Sequence, residues 1–283
     1  MQKVRLDLLV VERGLAESRA KAQALVMAGQ VRVDGQVEMK ASAQIAPESH
    51  LDLETGPRFV SRGGDKLEAA LLAFPLDVSG RVCVDVGAST GGFTDCLLQH
   101  GAAKVYTIDV GKGILHWKLR SDSRVVVMEK TNARYVESLP ESPDLVTIDA
   151  SFISLKILLP VVKLWFPSRL SPPFPVPSPN GMGARQGGST ENEGDVLALI
   201  KPQFEAGRKA SARHKGVIRD PAVHKAILLD VLAFAQVQGF GLRGLLRSPV
   251  LGPKGNVEFL AWLGVGQAVQ TDFPALIQPV LGE

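Results

Sequence analysis

Hydrophobic residues recur at helical spacing twice near the start of the chain, and a short alternating stretch follows. The ranges 5–14 and 18–29 each place apolar residues one helical turn apart and end at a glycine, which predicts two short helices. Asp34 and Gly35 separate alternating positions and are typical of a hairpin turn. We therefore predict a small α+β domain over residues 1–58.

Beyond that region, short apolar runs alternate with amphipathic stretches. The runs RVCVDVG, KVYTIDVG, RVVVMEK, DLVTIDAS and DVLALIKP read as strands, and helical patterns separate most of them. This alternation predicts an α/β domain over residues 66–283, with a Rossmann-like, mostly parallel sheet and helices on both faces. The last two apolar runs, at 242–246 and 257–263, have no long helix between them, so we expect an antiparallel final strand.

Two stretches interrupt these patterns. Residues 59–65 lie between the two predicted domains and include Gly63 and Gly64, which predicts a bendable linker. Residues 168–194 consist mostly of Pro, Gly, Ser and Asn and have no periodicity, so we expect a disordered surface insertion there.

Composition narrows the class of protein. The chain has 283 residues, of which 45% are hydrophobic, and its net charge of +3 is too small to indicate a nucleic-acid partner by itself. Cys83 and Cys96 form no CxxC pair, and the five histidines are scattered, so we expect a reducing cytoplasm and no metal. We find no secretory signal and no apolar stretch long enough to span a membrane, so no membrane partner is expected.

The motif VDVGASTGGFT is the sharpest local signal for a cofactor. An apolar strand runs into a glycine-rich turn that opens a helix, where backbone N–H groups are free to bind a ligand. The spacing is not GxGxxG, and an acidic residue two positions before the first glycine is typical of S-adenosylmethionine sites; a dinucleotide is the alternative. The cofactor-binding candidates in this motif are Asp85, Gly87, Ser89, Gly91, Gly92 and Phe93.

Further polar residues follow the other predicted strands. Asp109 and Asp149 each end a strand, and Pro202 should stop the next one directly after Lys201. Ligands of open α/β sheets bind over the carboxyl ends of the strands, so Asp109 and Asp149 are also cofactor-binding candidates. Asp109 could accept both ribose hydroxyls of an adenosine. The alternatives are a helix or turn cap for Asp109 and solvated strand ends for Asp149 and Lys201. Asn132 is a candidate for the adenine end of the cofactor, although Asn is also common in turns.

Basic residues cluster in the N-terminal region and in the range 201–219. Such clusters suit the phosphate backbone of a nucleic acid, and a solvated loop is the alternative for the second one. We expect RNA and not DNA as the partner. The RNA-binding candidates are Arg5, Arg13, Arg19, Lys21, Arg32, Arg62, Arg208, Lys209, Arg213 and Lys215.

Taken together, these motifs resemble the TlyA (hemolysin A-like) family, in which an S4 RNA-binding domain is fused to an FtsJ-like RNA ribose 2′-O-methyltransferase. The N-terminal 5–37 pattern resembles the S4 domain. SRGGDKLEAAL, the glycine motif, TIDASFISL, LIKPQFEAGR, KGVIRD and GNVEFL are similar to the rest of the family. The resemblance covers nearly the whole chain apart from the insertion and about the last dozen residues.

The resemblance implies transfer of a methyl group from S-adenosylmethionine to ribosomal RNA, free or within ribosomal subunits. It also implies a catalytic set made of Lys66, Asp149, Lys201 and Glu258. In our interpretation Lys201 acts on the proton of the ribose hydroxyl, Asp149 and Glu258 orient it, and Lys66 steers the sugar-phosphate. For Lys66 and Glu258 this assignment depends on the resemblance, since both could be surface charges.

Three other functions are compatible with parts of the sequence. The hemolysin label suggests a membrane-active protein, which the lack of an export signal and of spanning segments disfavours. A non-catalytic RNA-binding protein is disfavoured because every expected catalytic residue type is present. A different enzyme fused to an S4 domain, such as a pseudouridine synthase, would not need the glycine-rich turn.

Overall fold

A computed structural model of the protein describes residues 3–53, 56–166, 194–207, 216–266 and 271–282. These residues form two compact units, Met1–Arg58 and Phe59–Glu283. The predicted insertion at 168–194 lies outside the described residues apart from Gly194, and so does the basic stretch 208–215.

The first unit has two helices and two small antiparallel sheets. Its elements are β1 (Val4–Arg5), α1 (Leu6–Glu12), α2 (Arg19–Met27), β2 (Val31–Val33), β3 (Gln36–Val37), β4 (Gln44–Ile45) and β5 (Leu51–Leu53). Strand β2 pairs with β3 and β5, and β1 pairs with β4. Asp34 and Gly35 have φ angles of 50° and 81°, so the predicted hairpin turn is confirmed.

The second unit is built around one sheet of seven strands. Its first half contains α3 (Gly63–Ala73), β6 (Val82–Val86), α4 (Gly92–Gln99), β7 (Lys104–Ile108), α5 (Trp117–Arg120), β8 (Val125–Met128), β9 (Leu145–Ile148) and α6 (Leu155–Trp165). Its second half contains β10 (Asp195–Ile200), α7 (Pro202–Glu205), α8 (Pro221–Val237), β11 (Phe240–Arg247), β12 (Phe259–Val265) and α9 (Phe273–Leu281).

The strand order in this sheet is β11-β12-β10-β9-β6-β7-β8. Strands β10, β9, β6, β7 and β8 pair in parallel, whereas β12 is antiparallel to both of its neighbours. The predicted mostly parallel sheet with an antiparallel final strand is therefore confirmed. Strand β6 has β7 on one side and β9 on the other, so the direction in which strands are added reverses at β6. Open α/β sheets bind ligands at the carboxyl ends of the strands at such a switch point.

Both faces of the sheet are covered because its strands are apolar on both sides. In β10, Val196 and Ala198 pack into one hydrophobic core, while Leu197 and Leu199 pack into another on the opposite face. The first core includes side chains of α6, α8 and α9, and the second includes side chains of α3 and α4. The carboxyl ends of the strands remain available for a site.

The segment that we predicted as a bendable linker, residues 59–65, packs as part of the second unit. Phe59 is only 2% exposed and contributes to the core beside Leu67. A Cβ on Gly64 would lie 2.2 Å from the Phe59 ring, so the glycine serves close packing. Helix α3 begins at Gly63, so both glycines of the predicted linker lie in its first turn.

Candidate active site at the carboxyl edge of the sheet

The turn between β6 and α4 forms the floor of the candidate site. Gly87 has a φ of +85°, and a Cβ there would lie 2.9 Å from the backbone oxygen of Asp149. Gly91 has a φ of +99°, and a Cβ there would lie 2.2 Å from the Leu119 side chain. Both positions therefore require glycine, and the turn leaves open space above β6.

Asp85 does not take the cofactor contact that we expected for it. Its side chain is fully buried and lines neither of the two cavities described below. Its carboxylate accepts hydrogen bonds from the Thr94 backbone N–H (3.0 Å) and hydroxyl (2.6 Å), and from the Thr147 hydroxyl at 3.3 Å. Burial raises the pKa of Asp85 to about 7. Asp85 thus fixes the first turn of α4 from below.

A cavity of about 530 Å³ opens over the ends of β6, β7 and β9. Asp109 lines it, and its carboxylate is held by the backbone N–H groups of Ser89 (2.8 Å) and Gly111 (2.7 Å). Asn132 also lines the cavity, and its side chain accepts a hydrogen bond from the Arg134 N–H at 3.1 Å. Both residues therefore cap turns, as in the alternative reading, and also face the cavity.

The chemistry of this cavity fits a nucleoside. Apolar side chains, among them Ile153 and Leu158, can cover a flat base, and the fixed carboxylate of Asp109 can accept sugar hydroxyls. The glycine turn at Gly87 admits a ligand close to the backbone. Gly91 does not line either cavity and supports the turn from behind, which corrects its predicted cofactor contact.

A second cavity of about 330 Å³ adjoins the first. It is lined by all four predicted catalytic residues, together with Gly92, Phe93 and Arg62 among others. The two cavities share Gly87, Ser89, Asp149 and Ser151 as lining residues. They therefore meet at Asp149, so a ligand in the larger cavity can reach one in the smaller.

Lys201 and Asp149 form an ion pair at this meeting point. The Lys201 Nζ lies 2.5 Å from Asp149 Oδ1 and donates to the Asp149 backbone oxygen (3.2 Å) and the Ser151 hydroxyl (3.1 Å). Ala198 pairs with Ile148 in the parallel ladder, so the residues that follow β10 and β9 leave the sheet side by side. Lys201 is only 6% exposed, and its ammonium is fixed by three oxygens.

Lys66 and Glu258 form a second, more deeply buried pair. The Lys66 Nζ lies 2.6 Å from Glu258 Oε2, and Gln203 donates to Oε1 at 3.4 Å. Glu258 directly precedes the antiparallel β12, whose Phe259 pairs with Ile200, so it reaches the same sheet edge as Lys201. We expected Glu258 to orient Lys201, but its carboxylate is bonded to Lys66 and Gln203 instead.

Two aromatic side chains that we did not predict border the cavities. Phe152 is 90% exposed and has a φ of 63°, a backbone conformation that a bulky residue adopts at a cost of about 1–3 kcal/mol. Its ring lies 4.9 Å from that of Phe204, centroid to centroid. Phe152 lines the larger cavity and Phe204 the smaller. A strained, exposed aromatic residue at a cleft points to a functional role.

The predicted RNA-binding residues have different surroundings. Arg62 is exposed at the smaller cavity, whereas Arg208, Lys209, Arg213 and Lys215 lie outside the described residues. In the first unit, Arg5 and Arg19 both donate to the buried Asp7, and their side chains remain 36% and 53% exposed. Arg13 donates to the Pro47 oxygen and Arg32 to the Gly35 oxygen, while Lys21 is exposed.

The strand order, the antiparallel β12 and the glycine turn below a nucleoside-sized cavity define a Rossmann-like methyltransferase fold. The chain belongs to the FtsJ-like methyltransferase family, whose model matches residues 59–265, and an S4 domain model matches residues 4–49. The predicted fold class, enzyme class and family resemblance are confirmed.

Several relatives share this organisation. The chain is 41% identical, over 93% of its length and 90% of the relative's, to the 16S/23S rRNA (cytidine-2′-O)-methyltransferase TlyA of Mycobacterium tuberculosis (strain ATCC 25618 / H37Rv). It is 38% identical to Hemolysin A of Brachyspira hyodysenteriae, over 91% of the chain and 98% of that relative. The solved structure of a Streptococcus thermophilus protein, described as a hemolysin, is 40% identical in sequence to this chain. The match covers 99% of this chain and 95% of that protein, with a TM-score of 0.68.

Proposed function

We propose that this protein uses S-adenosylmethionine to methylate the 2′-hydroxyl of a ribose in ribosomal RNA. The observation that carries the proposal is the Lys201–Asp149 pair, which lies where the nucleoside-sized cavity meets the cavity lined by the other candidate catalytic residues. The relative in Mycobacterium tuberculosis that is named for 2′-O-methylation of cytidine in rRNA supports the choice of substrate. Such a substrate would place the protein in the cytoplasm.

The larger cavity would hold the cofactor. Asp109 would accept the ribose hydroxyls of its adenosine, Asn132 would lie at the base, and the turn at Gly87 and Ser89 would contact its amino-acid end. When bound, S-adenosylmethionine supplies a sulfonium methyl group that is already electrophilic. The protein then has to align a hydroxyl with that methyl group and remove one proton.

Lys201 would accept the proton. In this proposal Lys201 would first release one proton to solvent, and the ribose hydroxyl would donate a hydrogen bond to the neutral Nζ. Nζ would then take the hydroxyl proton as the methyl group passes from the sulfur to the ribose oxygen. The Asp149 carboxylate, 2.5 Å away, would stabilise the resulting ammonium. The neighbouring Ser151 hydroxyl, 3.1 Å from Nζ, would help to fix its direction.

The Lys66–Glu258 pair would position the substrate. The Lys66 side chain is 10% exposed and lines the smaller cavity, where its ammonium can contact a sugar or phosphate oxygen. Glu258, which is fully buried, would hold that ammonium in place. The exposed ring of Phe152 offers a surface on which the target base can stack.

RNA would be held by basic side chains in both units. Arg62 is exposed beside the smaller cavity and can contact the backbone next to the target ribose. The S4 domain exposes the guanidinium groups of Arg5 and Arg19, which Asp7 keeps in fixed positions. These groups would bind structured RNA through its phosphates.

The proposal is tested by the substitution Lys201→Ala. We expect transfer of labelled methyl groups to ribosomal subunits to fall at least about a hundredfold, while binding of S-adenosylmethionine, measured by calorimetry, stays near the wild-type value. Lys163→Ala, which removes an exposed lysine of α6, is the matched control and should be fully active. Near-normal turnover of Lys201→Ala, or methyl groups that map only to bases, would contradict the proposal.

A further inference from the structure

The outer face of α5 carries an exposed tryptophan that neither the fold nor the proposed mechanism uses. The Trp117 side chain is 74% exposed. Of the three tryptophans in the chain, Trp165 is 4% exposed and Trp262 is half-buried. A large aromatic ring exposed on a surface is typical of a binding site.

Trp117 stands between two buried leucines but is not itself part of the core. Leu115 and Leu119 are 6% and 1% exposed, and they fill the space behind the glycine turn at Gly91. Leu115 precedes α5 in non-helical backbone and Leu119 lies within the helix, and the Trp117 side chain between them is left at the surface. The two leucines supply the packing of this segment, and the tryptophan is free for another role.

This segment lies directly beside the smaller cavity. The backbone N–H of His116 donates to the oxygen of Thr90 at 3.1 Å, and Thr90 lines that cavity. Lys118, the residue after Trp117, lies 3.2 Å from Asp95 on α4. The segment that carries Trp117 is therefore held beside the smaller cavity, where we propose that the target ribose binds.

The sequence around Trp117 is rich in basic residues, two of which, Arg120 and Arg124, are paired with Glu129 and Asp122. Residues 111–124 contain four basic side chains and one acidic one, so this short stretch carries as much net positive charge as the whole chain, +3. Lys112 is exposed, and the Lys118 side chain remains 56% exposed despite its contact with Asp95. An exposed aromatic ring with exposed lysines close to it in the chain suits single-stranded nucleic acid, in which bases stack on rings and phosphates contact lysines.

We propose that Trp117, with Lys112 and Lys118, forms a stacking surface for an unpaired base of the RNA substrate close to the methylated nucleotide. This inference rests on the proposed RNA methyltransferase function and extends it to a second contact outside the two cavities. The ring supplies base stacking that tolerates any base, and the lysines hold the flanking phosphates. The surface thereby selects RNA that is locally unpaired beside its target.

The test compares Trp117→Ala and Trp117→Phe with Val237→Ala as the matched control. Val237 is also highly exposed, at 82%, but it precedes β11 and so lies at the opposite edge of the sheet. We expect Trp117→Ala to weaken RNA binding and raise the KM for RNA by about tenfold to a hundredfold, because stacking contributes about 1–3 kcal/mol per base. Trp117→Phe should stay within a few-fold of wild type, and the affinity for S-adenosylmethionine should not change.

A second readout is tryptophan fluorescence. Titration with a fragment of ribosomal RNA should quench the tryptophan fluorescence of the wild-type protein. Most of that quenching should disappear in Trp117→Phe, although two tryptophans remain. Unchanged RNA affinity in Trp117→Ala, or quenching that persists in Trp117→Phe, would contradict the proposal that Trp117 forms a stacking surface for RNA. So would a dimer that Trp117→Ala abolishes, since the ring would then serve a second copy of the chain.

The outcomes separate the surface from the proposed function. If wild-type protein binds the RNA without methylating it, the methyltransferase proposal fails while the binding comparison still decides on Trp117. If wild-type protein methylates RNA and Trp117→Ala does so with the same KM, the stacking surface is contradicted and the methyltransferase proposal stands.

Discussion

Lys66 and Glu258 are separated by 192 positions in the chain, and yet their side chains meet at 2.6 Å. The pair joins α3, the first helix of the catalytic unit, to the start of β12, the last strand of its sheet. Glu258 is fully buried, and Gly252 leaves it no spare room, because a Cβ there would lie 2.1 Å from Oε1. The contact therefore closes one wall of the candidate active site.

The first prediction concerns the charge of this pair. Glu258→Gln leaves the ammonium of Lys66 in a buried site without its carboxylate. Breaking a buried ion pair from one side costs about 3–5 kcal/mol, so the free energy of unfolding in urea should fall by about that amount. Methyl transfer to RNA should fall as well, because Lys66 loses its fixed position.

A double variant separates stability from function. Lys66→Met combined with Glu258→Leu removes both charges and keeps most of the volume, so its free energy of unfolding should return to near the wild-type value. Its methyl transfer should remain low, since no ammonium faces the RNA. A double variant with wild-type activity would show that the pair is structural only.

The second prediction concerns the cofactor site. Asp109→Ala removes the carboxylate that would accept the ribose hydroxyls and that now holds the N–H groups of Ser89 and Gly111. We expect the affinity for S-adenosylmethionine, measured by calorimetry, to fall about tenfold to a hundredfold, as hydrogen bonds to charged groups contribute about 1.5–3 kcal/mol. Asp122→Ala, which removes an acidic residue paired with Arg124 at the surface, serves as control.

The affinity of Asp109→Ala for RNA should be unchanged, because Asp109 lines only the larger cavity. Equal affinity of wild type and Asp109→Ala for the cofactor would place the adenosine elsewhere.

The positions of the residues at the strand ends could be predicted from the sequence, because the periodicity of apolar residues and the direction of the strands determine them. Apolar runs that alternate with helices place Asp149 and Lys201 at one edge of a parallel sheet, and the ladder between β9 and β10 has that arrangement. Pro202 predicted the end of β10, and the strand ends at Ile200. Local sequence is sufficient for such features.

Side-chain contacts between segments that are distant in the chain could not be predicted from the sequence in this way. Glu258 was expected to orient Lys201, yet its partner is Lys66, because side-chain pairing depends on how α3 packs against the sheet. Asp85 was expected at the cofactor, but its side chain points below the turn, where Thr94 and Thr147 bind it. Trp117 gave no motif at all, since its exposure follows from the burial of its neighbours.

The third prediction concerns pH and Asp85. Burial raises the pKa of this carboxyl from 3.8 to about 7 in the folded protein. Between those two values the folded state keeps a proton that the unfolded state has released, so stability is full at low pH and is lost as the pH rises toward about 7. The loss is at most about 4 kcal/mol, because one pKa unit corresponds to about 1.4 kcal/mol.

Asp85→Asn removes this titration but can still accept the hydrogen bonds from Thr94. Urea unfolding of both proteins from pH 5 to pH 8 should show Asp85→Asn gaining stability relative to wild type up to about pH 7 and then levelling off. Burial also raises the pKa of Glu205 and lowers the pKa of His224, in both proteins. Their contributions to the pH dependence of stability cancel in the difference between the two proteins. A difference that stays constant over this range would mean that Asp85 remains ionised beneath the glycine turn, with Thr94 and Thr147 stabilising its charge.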